Sequence, residues 1–256
     1  MIFDFHTVAA IAGIALVGGI VGLDRTAVGQ FMISQPVVAG PLTGWLLGDA
    51  TTGLIIGAVL ELIWVLDIPV GTFVPADSTI GAISATAIAV LGSPGGAPLD
   101  VIGFCILLTA GIVPITMKVD DVVRQKNSRL AEAAVARSGE HAGRRLARAH
   151  FAGLGIFFLK PLVLYLVFLP MGLIAVSLFA DMPEQVHHAL SLFVKLLPLL
   201  GAAMVLRKLS MRQFDRHLLT GFIIAAVSVQ VLHVHAFVVV LLTVTAGWLG
   251  ARYSER

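Results

Sequence analysis

The feature that most constrains this chain is a series of apolar stretches, at about residues 7–23, 31–48, 51–66, 79–91, 99–117, 151–180, 186–206 and 217–250, separated by clusters of charge, glycine or proline. A helix needs about 20 predominantly apolar residues to cross the hydrocarbon core of a bilayer, and several of these stretches reach that length. Only 12% of the 256 residues are charged, against roughly 25% in a soluble domain, and the mean hydropathy is +0.97. The expected fold is an all-α polytopic membrane protein, a bundle of transmembrane and broken or re-entrant helices. Broken helices are expected because 51–66 and 79–91 fall short of a simple crossing, and membranes tolerate loose backbone only where protein or a cavity covers it.

Glycine spacing adds a packing expectation. Gly40, Gly44 and Gly48 recur every four residues, and Gly53 and Gly57 repeat that spacing in the next segment. Small residues at this interval let membrane helices approach closely. The N-terminus lacks a basic run and a small-residue cleavage pattern, so the first apolar stretch reads as a retained span.

One long hydrophilic stretch runs over 118–150, where Lys118, Arg124, Lys126, Arg129, Arg137, Arg144, Arg145 and Arg148 outweigh Asp120, Asp121, Glu132 and Glu140. The positive-inside rule puts it in the cytoplasm, and its Ala, Glu and Arg content favours helix lying against the membrane or a partner. Arg207, Lys208, Arg212 and Arg216 form a second basic cluster on the same side, which leaves room for two crossings between the clusters and puts the turn at Asp181 and Glu184 outside. The chain thus divides into an N-terminal membrane region (1–117), a cytoplasmic polar loop (118–150) and a C-terminal membrane region (151–256). The charges at Asp24, Arg25 and Asp49 set no orientation upstream.

Several function classes drop out. Seventeen basic against 15 acidic residues give a formal charge of +2, too balanced for a nucleic-acid binder. Cys105 is the single cysteine, so no intrachain disulfide or CxxC metal site is possible. His233 and His235, two apart, do not share a helical face, so no metal site is expected there. The chain has no HExxH helix, no GxSxG elbow and no P-loop, and neither a cofactor nor a catalytic residue is expected.

The informative stretch is 57–78. A carboxylate inside a membrane costs roughly 2.5–3.5 kcal/mol on insertion scales, so Glu61 and Asp67 must face a polar interior or be protonated. Glu61 and Trp64 share a helical face, and Pro69 and Gly71 break the helix that follows. A broken helix near the midplane is a common way to build a transport site. A neutral polyol suits it, because carboxylates accept hydroxyl hydrogens while Trp64 or Phe73 covers the apolar sugar face. The candidate substrate-binding residues are therefore Glu61, Trp64, Asp67, Phe73 and Asp77. Two bland readings stand beside these: Glu61 bonding a neighbouring helix or freed backbone, and Asp77 capping the next helix. Asp49 reads as a turn cap, while Lys160 and Lys195 either snorkel or pair with an acid.

The run Gln35-Pro36-Val37-Val38-Ala39-Gly40-Pro41-Leu42-Thr43-Gly44-Trp45-Leu46-Leu47-Gly48-Asp49, followed by Thr52, Gly53, Gly57, Glu61 and Trp64 and then by Pro69-Val70-Gly71 and Val74-Pro75-Ala76-Asp77, resembles the IIC permease component of the mannose/fructose/sorbose phosphotransferase family. The resemblance is dense over about 30–80 and looser beyond. It implies a multi-pass subunit of the bacterial inner membrane that binds and carries a hexose or related sugar. It also implies a IID membrane subunit, soluble IIA and IIB components, an oligomer of IIC–IID units, and no phosphoryl-accepting residue in this chain. Glu61 and Asp77 are the positions it nominates for the sugar. Asp67 and Pro69 depart from it, since relatives tend to carry an uncharged residue and an asparagine there. The main alternative is a non-transporting membrane sensor or scaffold of the same fold that binds partners through 118–150.

Overall fold

In a bilayer every backbone polar group must be satisfied locally, and helices do this within one segment. The computed structural model describes residues 4–64, 75–136, 142–209 (backbone alone for 205–209) and 238. Its elements are all helices: α1 (Phe5–Asp24), α2 (Pro36–Leu47), α3 (Ala50–Trp64), α4 (Ser78–Gly92), α5 (Leu99–Val135), α6 (Ala142–Phe179) and α7 (Glu184–Leu209). The chain divides into two units, Met1–Met204 and Val205–Arg256. The first is described here.

Among the described residues four helices, α1, α5, α6 and α7, are long and apolar enough to cross a membrane. Helix α2, with 12 residues, rises about 18 Å at 1.5 Å per residue, well short of the ~30 Å core. It and α3 form a short hairpin. Pro36 opens α2 at a position where its missing N–H costs nothing, and Gly48 closes it in the left-handed conformation at φ 91°. Asp49 then caps α3, its Oδ1 accepting from Thr52 N at 3.0 Å and its Oδ2 from the Thr52 hydroxyl at 2.6 Å. The expected turn cap is therefore present.

The glycines bring these two helices into backbone contact. A Cβ on Gly40 would stand 2.6 Å from the Gly53 carbonyl and 2.9 Å from the Gly57 Cα. One on Gly53 would meet the Gly40 carbonyl and stand 3.1 Å from the Gly44 Cα. Without a hydrophobic drive between helices in lipid, such close packing is a main source of association.

Helix α4 runs through the middle of the unit, and α2, α3, α5 and α6 all pack on it. Ala82, Ala85, Ala87, Ile88 and Ala89 are fully buried; its small residues admit neighbours on every side. Large apolar side chains at the periphery, among them Leu16, Ile20, Leu107, Leu166 and Leu178, are exposed, as a lipid-facing surface requires.

Helices α5 and α6 outlast the bilayer. With 37 and 38 residues each is about 55 Å long. The polar stretch 118–150, expected to favour helix, forms the end of α5 and the start of α6, with 137–141 outside the described residues. The reason lies in its own composition: Leu130, Ala131, Glu132 and Ala133 propagate a helix that a loop would waste. Helices α6 and α7, joined by the turn around Asp181 and Met182, are the two segments between the basic clusters.

The two ends of the unit differ. At one, the start of α1, the α2–α3 turn and the α4–α5 turn surround an open cavity of about 730 Å³, with His6, Thr7, Asp49 and Ser93 on its walls. Nearby elements are tied there by His187 and Asp100, 2.6 Å apart, and by stacking of Phe104 on Phe179. The other end holds Glu61 and Asp77, and there α5 and α6 run on outward.

Candidate functional site

Helix α3 ends at Trp64 and α4 begins at Ser78. Asp67 and Phe73 lie between them, outside the described residues, as do His233 and His235. Among the candidates described, Glu61 is half-buried and its Oε2 accepts from the backbone N–H of Val37 at 3.2 Å. Val37 is in the first turn of α2, where N–H groups have no partner within the helix. Glu61 thus does bond the neighbouring helix, and among the described residues its Oε1 has no such bond. Trp64, half-buried, lays its ring 3.2 Å from where a Cβ on Gly81 would stand, and so packs against the first turns of α4.

Asp77 is buried and caps α4, its Oδ1 accepting from Ile80 N at 3.3 Å. The same oxygen takes a guanidinium N–H of Arg25 at 2.9 Å, and Oδ2 takes the Lys160 ammonium at 2.7 Å. Lys160 also pairs with Asp120 at 2.7 Å. Two cations and two carboxylates, drawn from four helices, thus form one neutral network. It leaves Asp77 little acceptor capacity, since a carboxylate offers about four lone-pair sites and three are in use.

The backbone around Asp77 is held as tightly as its side chain. The second arm of Arg25 donates to the carbonyls of Ala76 at 3.0 Å and Pro75 at 3.3 Å. Asp77 N donates to Thr116 Oγ1 at 3.1 Å. One residue before Arg25, Asp24 accepts from Phe31 N at 2.6 Å and from Ser34 N at 3.1 Å. That staple fixes a loop in which Gln30 and Met32 have positive φ. The loop in turn offers the Ser34 carbonyl to the Thr79 hydroxyl at 2.7 Å.

Glycines of α1 set Lys160 in place. A Cβ on Gly18 would collide with Tyr165, one on Gly19 with Phe158 at 2.7 Å, and one on Gly22 with Pro161 at 2.9 Å. The two helices are therefore close enough for Arg25 and Lys160 to reach one carboxylate.

Sequence reasoning did not find this network. In sequence Asp120 belongs to the polar stretch 118–150, whereas in the fold it is buried and is the partner of Lys160. The available signal was Lys160 itself, a cation inside the apolar run 151–180, which membranes admit only with a partner. Among the described residues no cluster of His, Cys, Asp or Glu is arranged to hold a metal ion.

A helical bundle with a sub-membrane hairpin, membrane-length helices and buried, paired charges is the architecture of a multi-pass membrane transport protein. The model of the family described as the PTS system sorbose-specific IIC component matches residues 8–245, and the chain belongs to that family. Similar curated proteins include the Escherichia coli K12 protein described as N-acetylgalactosamine permease IIC component 2, 36% identical over 88 residues, which are 34% of this chain and 59% of that one. The sorbose-specific EIIC component of Klebsiella pneumoniae is 24% identical over 197 residues, 76% of this chain and 71% of its own. Among solved structures, a membrane protein superposes with a TM-score of 0.74 over 99% of this chain and 97% of its own, at 20% identity. A chain of the cryo-EM structure of the mannose transporter ManYZ with microcin E492 gives 0.53 over 100% and 97%, at 21% identity. These two likenesses bear on the fold alone.

Proposed function

We propose that this chain is the sugar-translocating IIC subunit of a mannose-type phosphoenolpyruvate-dependent phosphotransferase system in a bacterial inner membrane, with the sugar received at the end of the α2–α3 hairpin. The observation that carries the site is Glu61, a carboxylate in an apolar helix with one oxygen on the α2 N-terminus and the other without a hydrogen bond among the described residues. Such an oxygen is suited to accept a sugar hydroxyl. Trp64, one turn on, offers an apolar ring of the kind that covers a sugar face, and Asp67 and Phe73 follow in the connecting residues. Asp77 belongs to the same site and serves it chiefly by shaping the start of α4.

The basic ends of α5 and α6 face the cytoplasm in this reading, by the positive-inside rule. They are then where a soluble IIB component approaches the sugar. A homologous IID subunit, the IIA and IIB components and an oligomer of IIC–IID units complete the system, and the phosphoryl group never resides on this chain.

The test is uptake of radiolabelled sorbose, mannose and N-acetylgalactosamine by cells expressing this chain with its IID, IIA and IIB partners. Uptake of at least one is expected. Glu61→Gln replaces a two-oxygen acceptor with one acceptor and one donor group, and should weaken sugar affinity about ten- to a hundredfold. Wild-type affinity in that variant would remove Glu61 from the site.

A further inference from the structure

Burying the carboxylates of Asp77 and Asp120 with the Lys160 ammonium, beside a partly exposed Arg25, can cost as much in desolvation as the pairing returns, and well-packed apolar residues of similar volume are often as stable or more so. Stability is thus a poor reason for the network at Asp77. Its geometry offers a better one. Arg25 holds the Asp77 carboxylate with one arm and the carbonyls of Pro75 and Ala76 with the other. Lys160 holds the second carboxylate oxygen and anchors it to Asp120 on α5. Residues 75–77, the last before α4 starts, are thereby gripped from α1, α5 and α6. The space among these groups is about 20 Å³, room for a single water and far too small for a sugar.

We infer that Arg25 and Lys160 are positioning residues for the sugar site: they touch no substrate and fix, through Asp77 and the carbonyls of Pro75 and Ala76, where α4 begins, and so the first turns of α4 on which Trp64 packs. This inference rests on the transport reading above. Arg25 is the more specific of the two, because a lysine keeps the charge but lacks the planar fork that engages carboxylate and carbonyls together.

The experiment uses the full chain with its partner subunits in cells, the three radiolabelled sugars named above as probes, and thermal melting of the purified complex in detergent. Two variants are compared with wild type. Arg25→Lys keeps every charge, and Lys160→Met combined with Asp120→Leu removes a neutral pair while leaving Arg25 and Asp77 matched. Both should insert and melt like wild type. Arg25→Lys should raise the KM for uptake about tenfold, the scale of one lost charged hydrogen bond, with a much smaller change in maximal rate. The double variant should raise KM by about threefold on the same scale. Wild-type KM in both variants overturns the inference, and so does a rise in KM that follows a matching loss of melting temperature, which is the mark of a structural role. If wild-type cells take up none of the three sugars, the transport reading falls and this inference with it.

Discussion

The hairpins α2–α3 and α5–α6 are built on opposite plans. The first is too short to cross a bilayer, and its two helices meet backbone to backbone through Gly40, Gly44, Gly53 and Gly57. The second overshoots the bilayer, and its glycines at 143 and 155 have open space where a Cβ would go. In the second hairpin side chains do the joining, as Lys160 on α6 does with Asp120 on α5. The contrast teaches that a glycine in a membrane helix is informative where a neighbouring helix presses on it, as at Gly40 and Gly53, and not by its presence alone, as at Gly143 and Gly155. It also teaches that a charge in such a helix is informative wherever it stands.

The strongest way to break this comparison is to add one side chain to each hairpin. Gly53→Val forces atoms onto the Gly40 carbonyl and against the Gly44 Cα, and since backbone cannot step aside, folded protein should be lost from a detergent size-exclusion profile. Gly155→Ala, with nothing within 4 Å, should leave the profile unchanged and raise stability by about 0.4–1 kcal/mol. Equal tolerance at both positions would refute the close contact of α2 and α3.

A second, smaller effect concerns charge. Lys160→Met removes the cation that Asp77 and Asp120 share, leaving Asp77 paired with Arg25 alone and Asp120 without its ammonium partner. Breaking a buried pair by removing one partner costs about 3–5 kcal/mol, so the melting temperature in detergent should fall well below that of the neutral double variant. If single and double variants melt alike, the pairing contributes no more than packing.

The turn of the short hairpin gives a third test. Asp49→Ala removes the acceptor for Thr52 N and the Thr52 hydroxyl and should cost ~1 kcal/mol as the loss of an N-cap, read as a shift in melting. Uptake should persist, because the cap lies at the opposite end from Glu61. The smallest effect on folding belongs to the outer reach of α5, where Lys126 and Arg129 are exposed. Reversing both to Glu should leave stability within about 0.5 kcal/mol while slowing phosphorylation by the soluble donor. An unchanged phosphorylation rate would move the docking face elsewhere.

Much of the short hairpin was legible in advance. The four-residue glycine interval predicted close packing, and Asp49 followed by Thr52 had the form of a helix cap. Both are local patterns, fixed by residues a turn or two apart. Glu61 was legible as a residue needing explanation, because a membrane penalises its charge. Its bond to Val37 was foreseen as one of two readings, since the sequence does not say which helix end lies beside it. The 118–150 stretch was recognised as polar and helix-prone, yet its place as the outer part of two long helices required knowing that α5 and α6 continue unbroken through Pro114, Pro161 and Pro170.

By itself the sequence determined the class: apolar stretches of membrane length, sparse charge and glycine intervals leave a helical membrane bundle as the expected outcome. It also determined that Glu61 must find polar company or be protonated, because a lone charge in an apolar run carries an insertion cost, and it left Lys160 to snorkel or to pair with an acid. Only the tertiary structure decided who that company is. Lys160 reaches Asp77 across 83 positions of sequence and Asp120 across 40. Periodicity reports the face a side chain takes on its own helix and carries no information about which other helix docks there.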